Sequence, residues 1–319
     1  MKLYYDSFQE GIWFKGLHQR LTAAGLYPFP SGEVGPEYLQ LALLHDRPNV
    51  IVVENDQPIL VLERTVEVPS GHNVGQRFAR LVAAAQMHVP IVYFGPYAAY
   101  KHGGATQGPR YMNLRLFHAL KKLGEIECTA VTTINWPVDQ NYEIIQTPAI
   151  RDKRMKDYLD LFFSLYDMYG LPAMTEHLIN STFQREQEDE QRTFVSESVV
   201  RPEQYDSPPE SVRILPWQSI SVLASQHPTN LKSPETVFYK IGMTYLRSDP
   251  YTGMALLYSY LYCGGLKNRT RDLVLYFPNI TNGQWSAAAA RGNRKDIRLF
   301  RLAADGILFS DGYAPKGQC

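Results

Sequence analysis

The chain has little cysteine: three in 319 residues, Cys128, Cys263 and Cys319, far apart and with no CxxC pair. An odd, scattered set speaks against a disulfide framework or a cysteine zinc site and fits a reducing interior. Long apolar runs are missing as well, and none reaches the roughly 18 residues of a membrane helix, so no membrane partner is expected. The opening stretch MKLYYDSFQEGIWFKG holds Asp6 and Glu10 and no apolar h-region, which argues against a secretory leader. A soluble chain of a prokaryotic cytoplasm is the expectation. Net charge is zero, with 32 Lys+Arg against 32 Asp+Glu, so a polyanion could be met only through local segregation of charge. The eight histidines form no HxH or HExxH pattern. GxSxG, GxxxxGK[ST] and GxGxxG are also missing, which argues against zinc hydrolases, serine hydrolases and common nucleotide sites.

What is present is globular composition, 45% hydrophobic and 20% charged, with its charge unevenly placed. Residues 1–67 carry nine acids and five bases. Residues 68–124 carry no Asp or Glu, yet hold Arg77, Arg80, Lys101, Arg110, Arg115, Lys121 and Lys122. A second basic stretch runs from Arg291 to Arg301, with Arg294, Lys295 and Arg298 between and Asp296 the one acid. Nearby carboxylates oppose a phosphate backbone, so an acid-free basic segment suits one. The glycine-rich KHGGATQGPR loop could seat a phosphate at the start of the helix that follows it.

Apolar periodicity predicts a short helix near 17–24 and another over 36–45, then strands at 50–53 and 59–68 forming a hairpin. A helix over 74–88 follows, with Val74, Phe78, Leu81, Val82 and Ala85 on one face. Next come a strand at 89–94, a helix at 111–123 and a strand at 129–134. That order predicts an α/β fold, a mixed central sheet flanked by helices. Residues 146–180 read as helical, 184–210 as an exposed polar linker closed by Pro208-Pro209, 234–246 and 251–263 as helices, and 273–277 as a strand. The expected division is a core over 1–145 and a largely helical portion over 146–319.

A three-residue turn at 55–57 would set Asn49 directly across the hairpin from Glu63, with side chains about 5 Å apart on one face. Two oxygen-bearing side chains beside a basic segment suit Mg²⁺, which keeps waters and accepts substrate phosphate to complete its shell. Such an ion generates hydroxide and offsets charge building on phosphorus.

With Pro48-Asn49 before one strand, Leu62-Glu63-Arg64-Thr65 on the next and a helix after it, residues 33–135 resemble the PD-(D/E)XK nucleases, the restriction-endonuclease-like core. The resemblance implies a metal site at Asn49 and Glu63, Thr65 at the position of the family's lysine, and Glu37 as an accessory acid. It also implies polar residues on the following helix, here Gln76 and Arg77, that brace the site or touch DNA. Arg80, Lys101, Arg110, Arg291, Arg294 and Lys295 join them as candidate backbone contacts. The sequence departs from the family where Asn49 replaces an aspartate and Thr65 a lysine. Either the site is an inactivated form, or Asp46, Glu54 or Glu67 compensates, or the chain is a DNA-binding or assembly module on that fold. The expected function is a Mg²⁺-dependent, sequence-specific endonuclease of restriction type acting on double-stranded DNA as a homodimer, with recognition and dimerisation in 146–319.

Overall fold

The structure is a computed structural model that describes residues 1–30, 35–71, 73–103, 107–197, 203–224, 230–246, 251–292 and 294–318. It divides into two compact units: Met1–Ser70, Arg80–Asn113 and Leu123–Val200 form the first, and Gly71–Ala79, Leu114–Lys122 and Arg201–Cys319 the second.

The first unit runs β1 (Lys2–Tyr5), α1 (Phe8–Lys15), α2 (Gln19–Thr22), β2 (Gly25–Pro28), α3 (Glu37–Ala42), β3 (Val50–Glu54) and β4 (Gln57–Arg64). It continues with α4 (Asn73–Gln86), β5 (Ile91–Gly95), β6 (Ala98–Lys101), β7 (Gly108–Tyr111), α5 (Leu114–Glu127) and β8 (Val131–Asn135). It closes with α6 (Pro148–Arg151), α7 (Lys153–Ile179) and α8 (Thr182–Glu197), while α4 and α5 each give one part to either unit. Six strands pair in the order β2-β1-β3-β4-β5-β8. β1, β3 and β4 pair antiparallel, β2 pairs parallel with β1, and the crossovers through α4 and α5 make β4, β5 and β8 parallel. The expected mixed sheet flanked by helices is present.

The β3-β4 hairpin reaches its register by a different route from the one the sequence suggests. Its turn has two residues, Asn55 and Asp56, both left-handed at φ 50° and 59°, a conformation these residue types tolerate. A bulge between Val52 and Val53 then restores the pairing of Val50 with Leu62, and just ahead of the strand Asn49 N donates to Leu62 O at 3.0 Å.

The element α7, kinked at Gly170 where the backbone leaves helical geometry (φ 72°, ψ 167°), belongs to this unit. It buries Met155, Tyr158, Leu159, Phe162 and Phe163 in one core with Leu3, Phe14, Val50, Leu60 and Leu62, so the division expected at residue 145 does not coincide with the compact units. The polar run taken for a linker is helical from Thr182 to Glu197, with 198–202 outside the described residues. Polarity misleads here because α8 packs on a polar strand: Gln184 accepts from Thr132 at 2.9 Å, Glu190 accepts from Asn135 at 2.8 Å, and Gln191 donates to Thr133. The Gly-rich loop is the tip of the β6-β7 hairpin, and residues 104–106 in it lie outside the described residues.

The second unit adds α9 (Glu203–Asp206), β9 (Val212–Pro216), α10 (Trp217–Ala224), β10 (Glu235–Lys240), α11 (Tyr251–Tyr262), β11 (Asp272–Phe277), α12 (Asn282–Ala289), α13 (Lys295–Ala303), β12 (Gly306–Phe309) and β13 (Gly312–Pro315). Its five strands pair in sequential order, so the portion expected to be largely helical is itself a helix-and-sheet layer. In place of the helix expected over 234–246, residues 235–240 form β10, an inner strand paired with β9 and β11. Thr236, Val237, Phe238 and Tyr239 are all buried, and a strand covered on both faces shows no alternation to distinguish it from a buried helix. Among the described residues no helix is long and apolar enough to cross a membrane.

Candidate functional site

The site forms where β1, β3 and β4 meet the first turns of α1, within the first unit. Asn49 sits just ahead of β3; its N–H donates to Leu62 O at 3.0 Å and its carbonyl accepts from Asp6 N at 3.0 Å. Its side chain is 6% exposed and uses both ends. Nδ2 lies 2.9 Å from each carboxylate oxygen of Glu10, and Oδ1 accepts the N–H of Arg64 at 2.7 Å. Glu10 is positioned by α1, and α1 can lie close to β1 because Gly11 presses on the Tyr5 ring, where a Cβ would come within 2.8 Å.

Glu63 is fully buried on β4, and Arg80 of α4 donates to its Oε1 at 3.0 Å. Asp46 lies at 4.0 Å on the other side of the same guanidinium. Burial alone would lower the Arg80 pKa, but Glu63, Asp46 and Asp6 outweigh it and raise the guanidinium above its ordinary value. Glu63, Asp46 and Asp6 thus act on Arg80, while Glu10 meets Asn49 and Arg64.

A second guanidinium closes the site. Arg64 is clamped between the rings of Trp13 and Trp136, 4.4 and 4.7 Å from their centroids, and reaches within 4.0 Å of Glu10. Phe94 stacks between the same two tryptophans, at 5.8 Å from Trp13 and 5.0 Å from Trp136. Burial pushes the Arg64 pKa down; Glu10 and Asp152 oppose that, and Arg151 adds to it.

Of the residues singled out in the sequence, Asn49 and Glu63 lie on adjoining strand segments and take different partners, Glu10 and the Arg64 N–H for Asn49 and Arg80 for Glu63. Glu37 is exposed on the first turn of α3, and the acid that meets Asn49 is Glu10. Thr65 is buried, and its hydroxyl is spent on its own turn, donating to Glu67 O at 2.8 Å and accepting from Glu67 N at 3.2 Å. Arg80, expected at a phosphate, is the ion-pair partner of Glu63. Gln76 and Arg77 are half-buried on the part of α4 that belongs to the second unit. Lys101 is exposed at the end of β6 and Arg110 half-buried on β7. Arg294 is tied to Asp296 at 2.5 and 3.0 Å and to Leu246 O at 3.1 Å, whereas Arg291 is exposed and Lys295 half-buried.

Asp6 and Glu10 count in the sequence only against a leader segment. The signal that could have found them is their i,i+4 spacing directly after the apolar strand Leu3-Tyr4-Tyr5.

The donor set does not fit Mg²⁺ as it stands. The single acceptor of the Asn49 side chain is committed to the backbone, its amide faces Glu10, and Arg80 neutralises Glu63. Among the described residues no group of three or more His, Cys, Asp and Glu side chains is placed to hold a metal ion. Compared with family models, curated proteins and solved structures, the chain matches none.

Proposed function

We propose that this chain is a restriction-type DNA endonuclease held in a catalytically silent form by Asn49, on a restriction-endonuclease-like core. The observation that carries this reading is the Glu10–Asn49 contact just ahead of β3, with the Glu63–Arg80 pair on β4, in a sheet where β1, β3 and β4 are antiparallel neighbours and β5 joins β4 in parallel beyond α4. An asparagine that donates to one carboxylate and accepts from the backbone occupies a place where an aspartate would face Glu10 at hydrogen-bond distance. Two such acids facing each other would repel unless a cation lay between them. Asn49 relieves that repulsion with an N–H, and Arg80 relieves Glu63 with a guanidinium. The acids are therefore stable without metal, and phosphodiester hydrolysis is switched off at the ligand level while duplex DNA binding is retained. Cutting both strands of a duplex with one site per chain calls for a homodimer, and twofold symmetry suits a palindromic target.

The test is a cleavage assay on mixed-sequence plasmid DNA with Mg²⁺, using this chain and Asn49→Asp. Cutting by the variant alone supports the reading. No cutting by either, with duplex binding intact, replaces it by a non-catalytic DNA-binding protein on the same fold. That second reading is favoured by Thr65, whose hydroxyl is committed where the family places a lysine.

A further inference from the structure

The exposed surface of α13 carries charge of one sign. Asp296, its one acid, is 1% exposed and is held by Arg294. Ile297, Leu299, Phe300 and Ala303 are buried, and α13 packs on α11. Arg298 and Arg301 are exposed and Lys295 half-buried, at i, i+3 and i+6, so the three share one side of the helix and span about 9 Å of its axis. Arg291 is exposed at the end of α12, four residues before Lys295.

We infer that this stripe is a contact surface for the phosphate backbone of duplex DNA, made by Lys295, Arg298 and Arg301 with Arg291 beside them. Charge complementarity selects the occupant. Each strand of duplex DNA presents one phosphate per about 3.4 Å of axis, so the stripe spans enough backbone to meet two or three phosphates. An anionic membrane surface fits less well, because an interfacial helix inserts its apolar face and that of α13 is already buried in its own unit. The assignment differs from the sequence reading of the same stretch: Arg294 is committed to holding Asp296, and Arg298 and Arg301 carry the contact. It rests on the endonuclease reading only for the identity of the polyanion.

The test is fluorescence anisotropy of a labelled mixed-sequence duplex with the full chain in EDTA, over a salt series. Compared are the wild type, Arg298→Ala/Arg301→Ala, Arg298→Lys/Arg301→Lys, and Lys267→Ala as an exposed cation outside α13. Circular dichroism confirms that each variant is folded. The double alanine variant is expected to weaken binding on the order of tenfold at moderate salt and to flatten the slope of log K against log salt by about 1.8, while the lysine pair and Lys267→Ala hold close to wild type. Wild-type binding with an unchanged slope in the double alanine variant overturns the inference and leaves the endonuclease reading standing. Binding that depends on α13, without cutting by Asn49→Asp, sinks the catalytic reading alone. Wild-type failure to bind duplex at low salt overturns both. Capture on phosphatidylserine–phosphatidylcholine vesicles in place of duplex overturns the choice of occupant.

Discussion

Arg80 shows how much of the candidate site depends on single side chains. It is the guanidinium partner of a fully buried glutamate, and taking one partner from a buried pair leaves a charge the interior cannot solvate. Arg80→Ala is therefore expected to destabilise the first unit by about 3 kcal/mol in urea unfolding, and Glu63→Gln added to it to recover much of the loss. Asn49 gives the complementary case. Asn49→Asp replaces an amide 2.9 Å from both oxygens of Glu10 with a like charge, so its melting temperature should fall in EDTA and recover on adding Mg²⁺. A variant whose melting temperature ignores Mg²⁺ would show that the introduced carboxylate and Glu10 do not share a cation.

Asp272, in the second unit, supplies a test of sign. Burial raises its pKa, opposed by hydrogen bonds from the Ser233 and Lys232 N–H groups and by Arg269, and supported by Asp305. An acid whose folded pKa lies above its unfolded one costs stability once the pH exceeds both, and that cost fades as the pH falls through them. Asp272→Asn should thus raise the melting temperature at neutral pH, with the gain shrinking below the ordinary carboxylate range.

At the scale of elements, two glycines decide how closely α4 and α11 approach in the second unit. A Cβ on Gly253 would overlap Gly75 O, and one on Gly75 would overlap Met254 N, so the two backbones touch where any side chain would intrude. Gly253→Ala is expected to cost roughly 1–3 kcal/mol or more in chemical unfolding, the usual penalty for overpacking a filled interior. The start of α12 is set locally, by Thr281 Oγ1 accepting from Gln284 N at 3.1 Å and Gln284 Oε1 accepting from Thr281 N at 2.9 Å. Such a reciprocal cap is readable from sequence spacing, whereas the α4-α11 contact joins glycines 178 residues apart and has no local signature.

For the whole molecule, equal numbers of acids and bases give no net pull toward a polyanion, so the proposed DNA affinity would come from segregated patches and is predicted to fall steeply with salt. The homodimer expected for double-strand cutting is checked by sedimentation of Asn49→Asp with a duplex target. A monomer that cuts both strands would remove the twofold argument.

Composition and periodicity alone determined the α/β class, the β3-β4 hairpin and the amphipathic α4. These depend on neighbours in sequence or on the two-residue repeat of a strand. Tertiary structure decided the rest. Glu10 replaced Glu37 because a glycine lets α1 close on β1. Arg80 became a buried partner because the crossover helix returns over β4. Residues 182–197 became helix because polar β8 side chains receive them, and 235–240 became strand because β9 and β11 pair with its two edges while both its faces are buried. Each of these outcomes is settled by partners distant along the chain, and burial by a distant partner leaves no period in the segment it covers.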